Sequence, residues 1–283
     1  MYTQKVWITG DVIDIQKTYS LRQYKGQRRS VRTSATTEAM QKYNEKLATR
    51  KLTRTINANF TTDDIHLTLT YRKEERPETD EEFLGDLRKF LRKIRRRYKK
   101  AGVEFKYISV SAIGKKGAHH HHLIIPGIDL RYITGLWDKG GIHPVLLYSK
   151  CDFEGLAQYF IDQTSEEGGR TVGRRWNCSR NIIHPEPKVT EIDSDTWREP
   201  PKALPGYEID YSTVEYGENP VTGIPFCYYR QVKRIIKKPM MTPDGRLLRP
   251  DAADRWLRQK EFEEEQARYR ESGNKIIKRG ETI

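Results

Sequence analysis

The sequence predicts an α+β fold: a central antiparallel sheet with packed helices, followed by an extended C-terminal region. Three observations carry this. Residues 65–71, IHLTLTY, alternate Ile65, Leu67, Leu69 and Tyr71 with polar positions, the period of a half-buried strand. Residues 105–113 and 118–126 read as two strands joined by GKKG, a hairpin turn sequence. Residues 78–100 place Phe83, Leu84, Leu87, Phe90, Leu91, Ile94 and Tyr98 in one stripe at helical spacing. Hairpins alternating with helices point to an antiparallel layer rather than a doubly wound parallel sheet.

The elements follow in order. YKGQRRSVR (24–32) reads as a basic arm. Residues 36–60 read as a helix, with Met40, Tyr43, Leu47 and Leu52 roughly on helical spacing. The helix at 78–100 opens with acids and ends with bases, as the helix dipole prefers. Its outer face, from Arg88 to Lys100, is almost entirely Lys and Arg, which suits either a solvated face or a DNA-backbone contact. Asp129 is placed to cap a short helix at 129–137. Pro144 puts the strand at 142–148 at a sheet edge. Residues 152–166 form a helix with Asp152 as its expected cap. Beyond 166 a Gly- and Arg-rich loop gives way to a proline- and acid-rich stretch without clear period, expected to lie extended on the surface. The charged tail from 261 is weakly amphipathic.

Composition narrows the function. The chain has 283 residues and a formal charge of +13, which suggests an anionic partner, nucleic acid before an acidic membrane surface. Its 16 tyrosines and five tryptophans favour nucleic acid, because bases stack on aromatic faces. Cys151, Cys178 and Cys227 lie far apart, which argues against a disulfide framework or a cysteine zinc site and fits a cytoplasmic protein. No apolar run is long enough to span a bilayer, and the N-terminus has no signal-peptide core. No P-loop motif is present, so no fused helicase is expected.

His119 to His122 are consecutive within a strand pattern. Strand side chains alternate faces, so either His119 with His121 or His120 with His122 can offer two imidazoles to one metal ion. On the helix at 152–166, Tyr159 and Gln163 share one edge with Asp152, beside a stripe of Phe153, Leu156, Ala157, Phe160 and Ile161. Asp162 points away from that edge. His66 alternates away from the apolar side of its strand and can also approach a metal. His143 and His184, beside prolines, read as structural. Arg174, Arg175 and Arg180 with Trp176 form a loop suited to phosphates and a stacked base.

Three stretches together resemble the rolling-circle replication-associated proteins of phages, plasmids and integrative elements, in the His-hydrophobic-His (HUH) endonuclease superfamily. NFTTDDIHLTLTY resembles their first motif, HHHL their second and GLAQYFIDQT their third. RRWNCSRNI and TGIPFCYYR resemble further stretches downstream. Relatives often carry a Glu-aromatic-Gly turn before the histidines and a lysine three residues after the tyrosine; here these are Ala112-Ile113-Gly114 and Asp162. The resemblance implies the HUH fold, with a nicking domain at 61–183 between a basic arm and helix (1–60) and a C-terminal region (184–283). It implies His120 and His122 as ligands of Mn²⁺ or Mg²⁺, with Tyr159 as nucleophile. A glutamine one turn after the tyrosine is a metal ligand in some tyrosine transposases of the superfamily, which favours Gln163 as third ligand, with Asp162 and His66 as the other candidates. The implied reaction is origin nicking of single-stranded DNA, in a hairpin, through a 5′-phosphotyrosine. Host helicase and polymerase are the expected partners. A non-catalytic DNA-binding regulator, a relaxase- or transposase-type nuclease and a water-using nuclease are the competing readings.

Overall fold

The computed structural model describes residues 1–19, 38–147, 152–164, 169–220 and 222–234. The basic arm at 24–32 and the tail from 261 lie outside them. Eleven strands and three helices form two antiparallel sheets among the described residues. In chain order they are β1 (Tyr2–Thr9), β2 (Val12–Tyr19), α1 (Glu38–Asn59), β3 (Ile65–Thr70), α2 (Asp80–Ala101), β4 (Ile108–Gly114), β5 (His119–Ile125), β6 (Ile142–Leu146), α3 (Glu154–Gln163), β7 (Gly169–Thr171), β8 (Asn177–Cys178), β9 (Lys188–Ile192), β10 (Tyr207–Glu218) and β11 (Pro225–Lys233).

The first sheet has the order β6-β3-β5-β4-β7, with β8 pairing β4 further along. Its alternating strands bury both faces. On one, Leu67, Leu69, Leu123 and Ile125 meet Phe83, Leu87, Phe90, Leu91, Ile94 and Tyr98 of α2. On the other, Ile108, Val110 and Ile124 meet Leu52 and Ile56 of α1 and Ala157, Phe160 and Ile161 of α3. Helix α2 begins with a complete capping box between Thr79 and Glu82 and ends at Gly102 in the left-handed region, satisfying backbone groups at both ends. The β4–β5 hairpin closes through a Gly117 N–H to Gly114 carbonyl hydrogen bond of 2.8 Å, with Gly117 at φ 72°. Strand β6, which contains Pro144, lies at the sheet edge as expected.

Some elements differ from expectation. The short helix after Asp129 is a single 3-10 turn, Leu130–Tyr132, although Asp129 does accept from the Arg131 N–H. Helix α3 starts at Glu154 with Phe153 as its cap residue; Asp152 stands one position further out and accepts from the Glu154 N–H at 3.1 Å. In α1 Leu52 is buried as expected, together with Ile56, whereas Leu47 is exposed.

The second sheet, β10-β11-β2-β1-β9, joins the first 19 residues to the stretch beyond 184. The segments expected to lie extended are its outer strands. One face is apolar, with Ile13, Ile15, Cys227 and Tyr229. The other meets α1 through charge. Arg54 pairs with Asp14 at 2.6 Å, and the Arg50 guanidinium stacks 3.4 Å above the Tyr228 ring while bonding Glu215. At the centre is Arg230, fully buried, which reaches Asp14 (2.9 Å) on the neighbouring strand and Asp152 and Glu154 at the start of α3. Burial opposes ionisation of Asp14, but Arg230 and Arg54 outweigh it and hold the carboxyl below its ordinary range.

Candidate active site on the histidine strand

Strand alternation divides the four histidines. His119 and His121 face α2. The His121 ring stacks on Phe83 with centroids 4.1 Å apart, and its nitrogens meet the hydroxyls of Ser111 (2.8 Å) and Tyr71 (3.1 Å). Burial pushes its pKa down to about 3, and both nitrogens are occupied, so it is a core residue. His119 packs edge-on to the Phe83 ring and bonds the Gly117 carbonyl.

His120 and His122 face α3. Their ring centroids are 4.9 Å apart. The register places His120 between Thr70 and Ala112, and His122 between Thr68 and Val110. Packing of Phe160 and Ile161 into the core fixes the rotation of α3 and turns Tyr159 and Gln163 toward these rings. The Tyr159 hydroxyl lies 3.4 Å from His122 Nε2, and Gln163 Oε1 lies 3.1 Å from His120 Nε2. The Tyr159 side chain is part exposed, and burial of the rest of the ring raises its pKa.

The far side of each imidazole is held. His120 Nδ1 is 3.0 Å from the Ala118 carbonyl, which can only accept, so Nδ1 donates that bond and Nε2 faces Gln163. His122 Nδ1 lies 3.1 Å from His66 Nε2 and 3.2 Å from Thr68 Oγ1. Burial, followed by the neighbouring histidines, pushes the His122 pKa down to about 2; burial alone lowers that of His66 to about 4. Both rings are therefore neutral at ordinary pH, as ligation requires.

The donor set can be tested for a metal. Among the described residues no three His, Cys, Asp or Glu side chains converge on one point, so a third protein donor would have to be another group. Gln163 supplies one. Its oxygen lies 3.1 Å from His120 Nε2, and a cation held here would draw on both atoms. His66 sits behind His122, on the Nδ1 side, and is not among the converging donors. Asp162 is exposed and accepts from Gln158 at 2.7 Å. Asp152 does not join the edge of Tyr159 and Gln163, because its carboxylate is bound to Arg230.

The Arg-rich loop divides as well. Arg174 and Arg180 are exposed, while Trp176 packs against the core that α1 and α3 share, so its indole is only partly available to a base. Arg230 is not distinguishable in sequence as a site residue. Its only signal is its place at the end of TGIPFCYYR.

The family model for the ORF2 type of replication-associated protein matches residues 64–167, the segment that holds His120, His122, Tyr159 and Gln163. The chain carries a domain of that family, the rolling-circle replication initiators of phages and plasmids. No curated protein and no solved structure matches the chain. No helix among the described residues is long and apolar enough to cross a membrane.

Proposed function

We propose that this protein nicks and rejoins single-stranded DNA at a replication origin through a covalent tyrosine intermediate. The observation that carries the reading is the approach of the Tyr159 hydroxyl to His122 Nε2 beside the His120–Gln163 pair. His120, His122 and Gln163 would hold Mn²⁺ or Mg²⁺, which when bound supplies Lewis-acid stabilisation of the charge on the scissile phosphate. Helix α3 holds Tyr159 at the rim, where DNA can reach it. Its oxygen bonds to phosphorus as the bond to the 3′ oxygen breaks. The tyrosine proton leaves to solvent, and the released 3′ oxygen takes one up. The products are a 5′-phosphotyrosyl link and a free 3′ hydroxyl that can prime synthesis or reverse the step. Phosphoryl transfer depends mainly on positioning and charge stabilisation, which suits a site built on a rigid strand and a packed helix. Arg174, Arg175 and Arg180 flank the sheet edge at β7 and β8 as candidate phosphate contacts for the strand.

The test is Tyr159→Phe, incubated with an origin-containing single strand and Mn²⁺. It removes one oxygen and little packing, so the fold should persist. No protein–DNA adduct should survive a denaturing gel, and nicking should fall to background. A Phe variant that still nicks identifies water as nucleophile; a wild-type protein that binds DNA but neither nicks nor forms an adduct identifies a regulator.

A further inference from the structure

The mechanism leaves one large feature unused. From Arg88 to Lys100, α2 carries nine Lys and Arg residues, and Asp86 just before them is the nearest acid on the helix. All nine are exposed. Among the described residues, ion pairs engage only Lys89, with Asp86, and Lys93, with Asp138. At 100° per residue, Arg88, Arg92, Arg96 and Lys99 fall within one strip opposite the buried stripe. That strip is about 17 Å long at 1.5 Å per residue.

Its position separates it from the nicking site. Helix α2 covers the face of the first sheet that carries His119 and His121, while the Tyr159 helix covers the other. The direction of α2 moves the basic half further away. Its first turn lies beside the hairpin, where Asp80 pairs with Arg170 of β7, and near its end the Tyr98 hydroxyl bonds the Pro126 carbonyl beyond the opposite end of β5. A strand seated at Tyr159 therefore does not lie along this strip.

The aromatic content says which form of DNA the strip suits. Single strands are held by rings on which bases stack. Phe83, Phe90 and Tyr98, all the aromatic residues of α2, are buried in the core. The strip offers cations alone, on a rigid rod. Such a surface reads phosphate and not bases, and it matches the partner with the densest regular phosphate charge, a duplex with one charge per about 1.7 Å of axis.

We infer that the outer face of α2 is a second DNA surface, which grips the phosphate backbone of double-stranded DNA on the side of the sheet away from the nick. The inference takes from the proposed function only that DNA is the polyanion, and its test needs no nicking. The variant R88Q/R92Q/R96Q/K99Q would be compared with the parent for binding of a blunt 30-base-pair duplex across a salt series without divalent metal. A second variant, K188Q/R198Q/K202Q/R234Q, removes the same charge from exposed positions elsewhere. Each lost phosphate contact lowers the slope of log affinity against log salt by about 0.9, so the α2 variant should lose up to about 3.6. The second variant should keep a slope near that of the parent, and thermal melts should show all three proteins folded. The α2 variant should also keep its affinity for a short unstructured single strand, and the same slope change should appear on a Tyr159→Phe background. Equal slopes for the α2 variant and parent, equal losses in the two charge variants, or binding to anionic phospholipid vesicles in place of duplex would each overturn the inference. Failure of nicking with an intact slope difference would count against the proposed chemistry and leave this surface standing.

Discussion

The two sheets are built from different materials. The first is sealed on both faces by apolar side chains, with His121 and His122 buried among them and their pKa values lowered by that burial. The second has one apolar face, and the other is held against α1 and α3 by ions: Arg230 with Asp14, Asp152 and Glu154, and Arg54 with Asp14. Apolar burial is tolerant of small changes in shape. A buried ion is not, because removing its partner leaves an unpaired charge. The first sheet carries the candidate site, and the second holds the start of α3 through Arg230.

The largest effect expected belongs to the first sheet. Changing both His120 and His122 to Ala should abolish nicking and adduct formation while most DNA affinity remains, since backbone charge supplies it. Full activity in that variant, or in excess chelator, would end the metal reading. His121→Ala should instead act on stability, by about 2–4 kcal/mol in chemical denaturation, through a cavity against Phe83 and unmatched hydroxyls on Ser111 and Tyr71. Loss of metal affinity in a folded His121→Ala protein would erase the distinction between the two faces of β5.

Arg230→Met probes the second sheet. It should cost about 3–5 kcal/mol, because Asp14 is left buried with one partner fewer. Adding Asp14→Asn should return part of the loss in a double-mutant cycle. If both single variants are as stable as the parent, the ionic account of this sheet is wrong.

At the metal, Gln163→Ala should raise the Mn²⁺ concentration for half-maximal nicking at least about 10-fold. Asp162→Ala should change it little. The reverse ranking would exchange their roles.

The sharpest contrast is with pH. For His121 the folded pKa, about 3, lies below the ordinary value of 6.5. The unfolded chain therefore binds the proton first, and stability falls as pH drops below 6.5, by about 2 kcal/mol at pH 5 for this residue. For Asp14 the folded pKa lies below the ordinary value of 3.8, so its contribution is intact above 3.8 and is lost only below it. A urea midpoint that is flat from pH 7 to 5 and falls only below 4 would mean that the histidine face is not buried as described.

The same contrast explains what can be read from residues alone. Strand β3, the β4–β5 hairpin and α2 announce themselves because one face of each is apolar and the periods are clean. Tyr159 and Gln163 are readable because Phe160 and Ile161 fix the rotation of α3. The second sheet is not. Strand β2 buries Asp14 and Lys17 beside Ile13 and Ile15, and β11 buries Arg230 and Gln231 among aromatics, so neither shows a hydrophobic alternation. Helix α1 buries polar residues, Arg50, Thr53 and Thr55, as well as Leu52 and Ile56, so an apolar stripe finds Leu52 but also takes in the exposed Leu47. Pairings such as Arg230 with Asp14, 216 positions apart, leave no local trace.

Arg230 also has a consequence for dissecting the protein. The first turn of the tyrosine helix is bonded to a side chain from the last described strand, and that strand is seated on one from the N-terminus. A fragment cut at 61 and 183 would keep every residue of the candidate site yet lose both α1 and this clasp. Such a fragment is expected to lack a defined start to α3 and to be a poor nickase. Smaller tools made from this protein would do better to retain Met1 through Lys233 and shorten the chain only beyond that point.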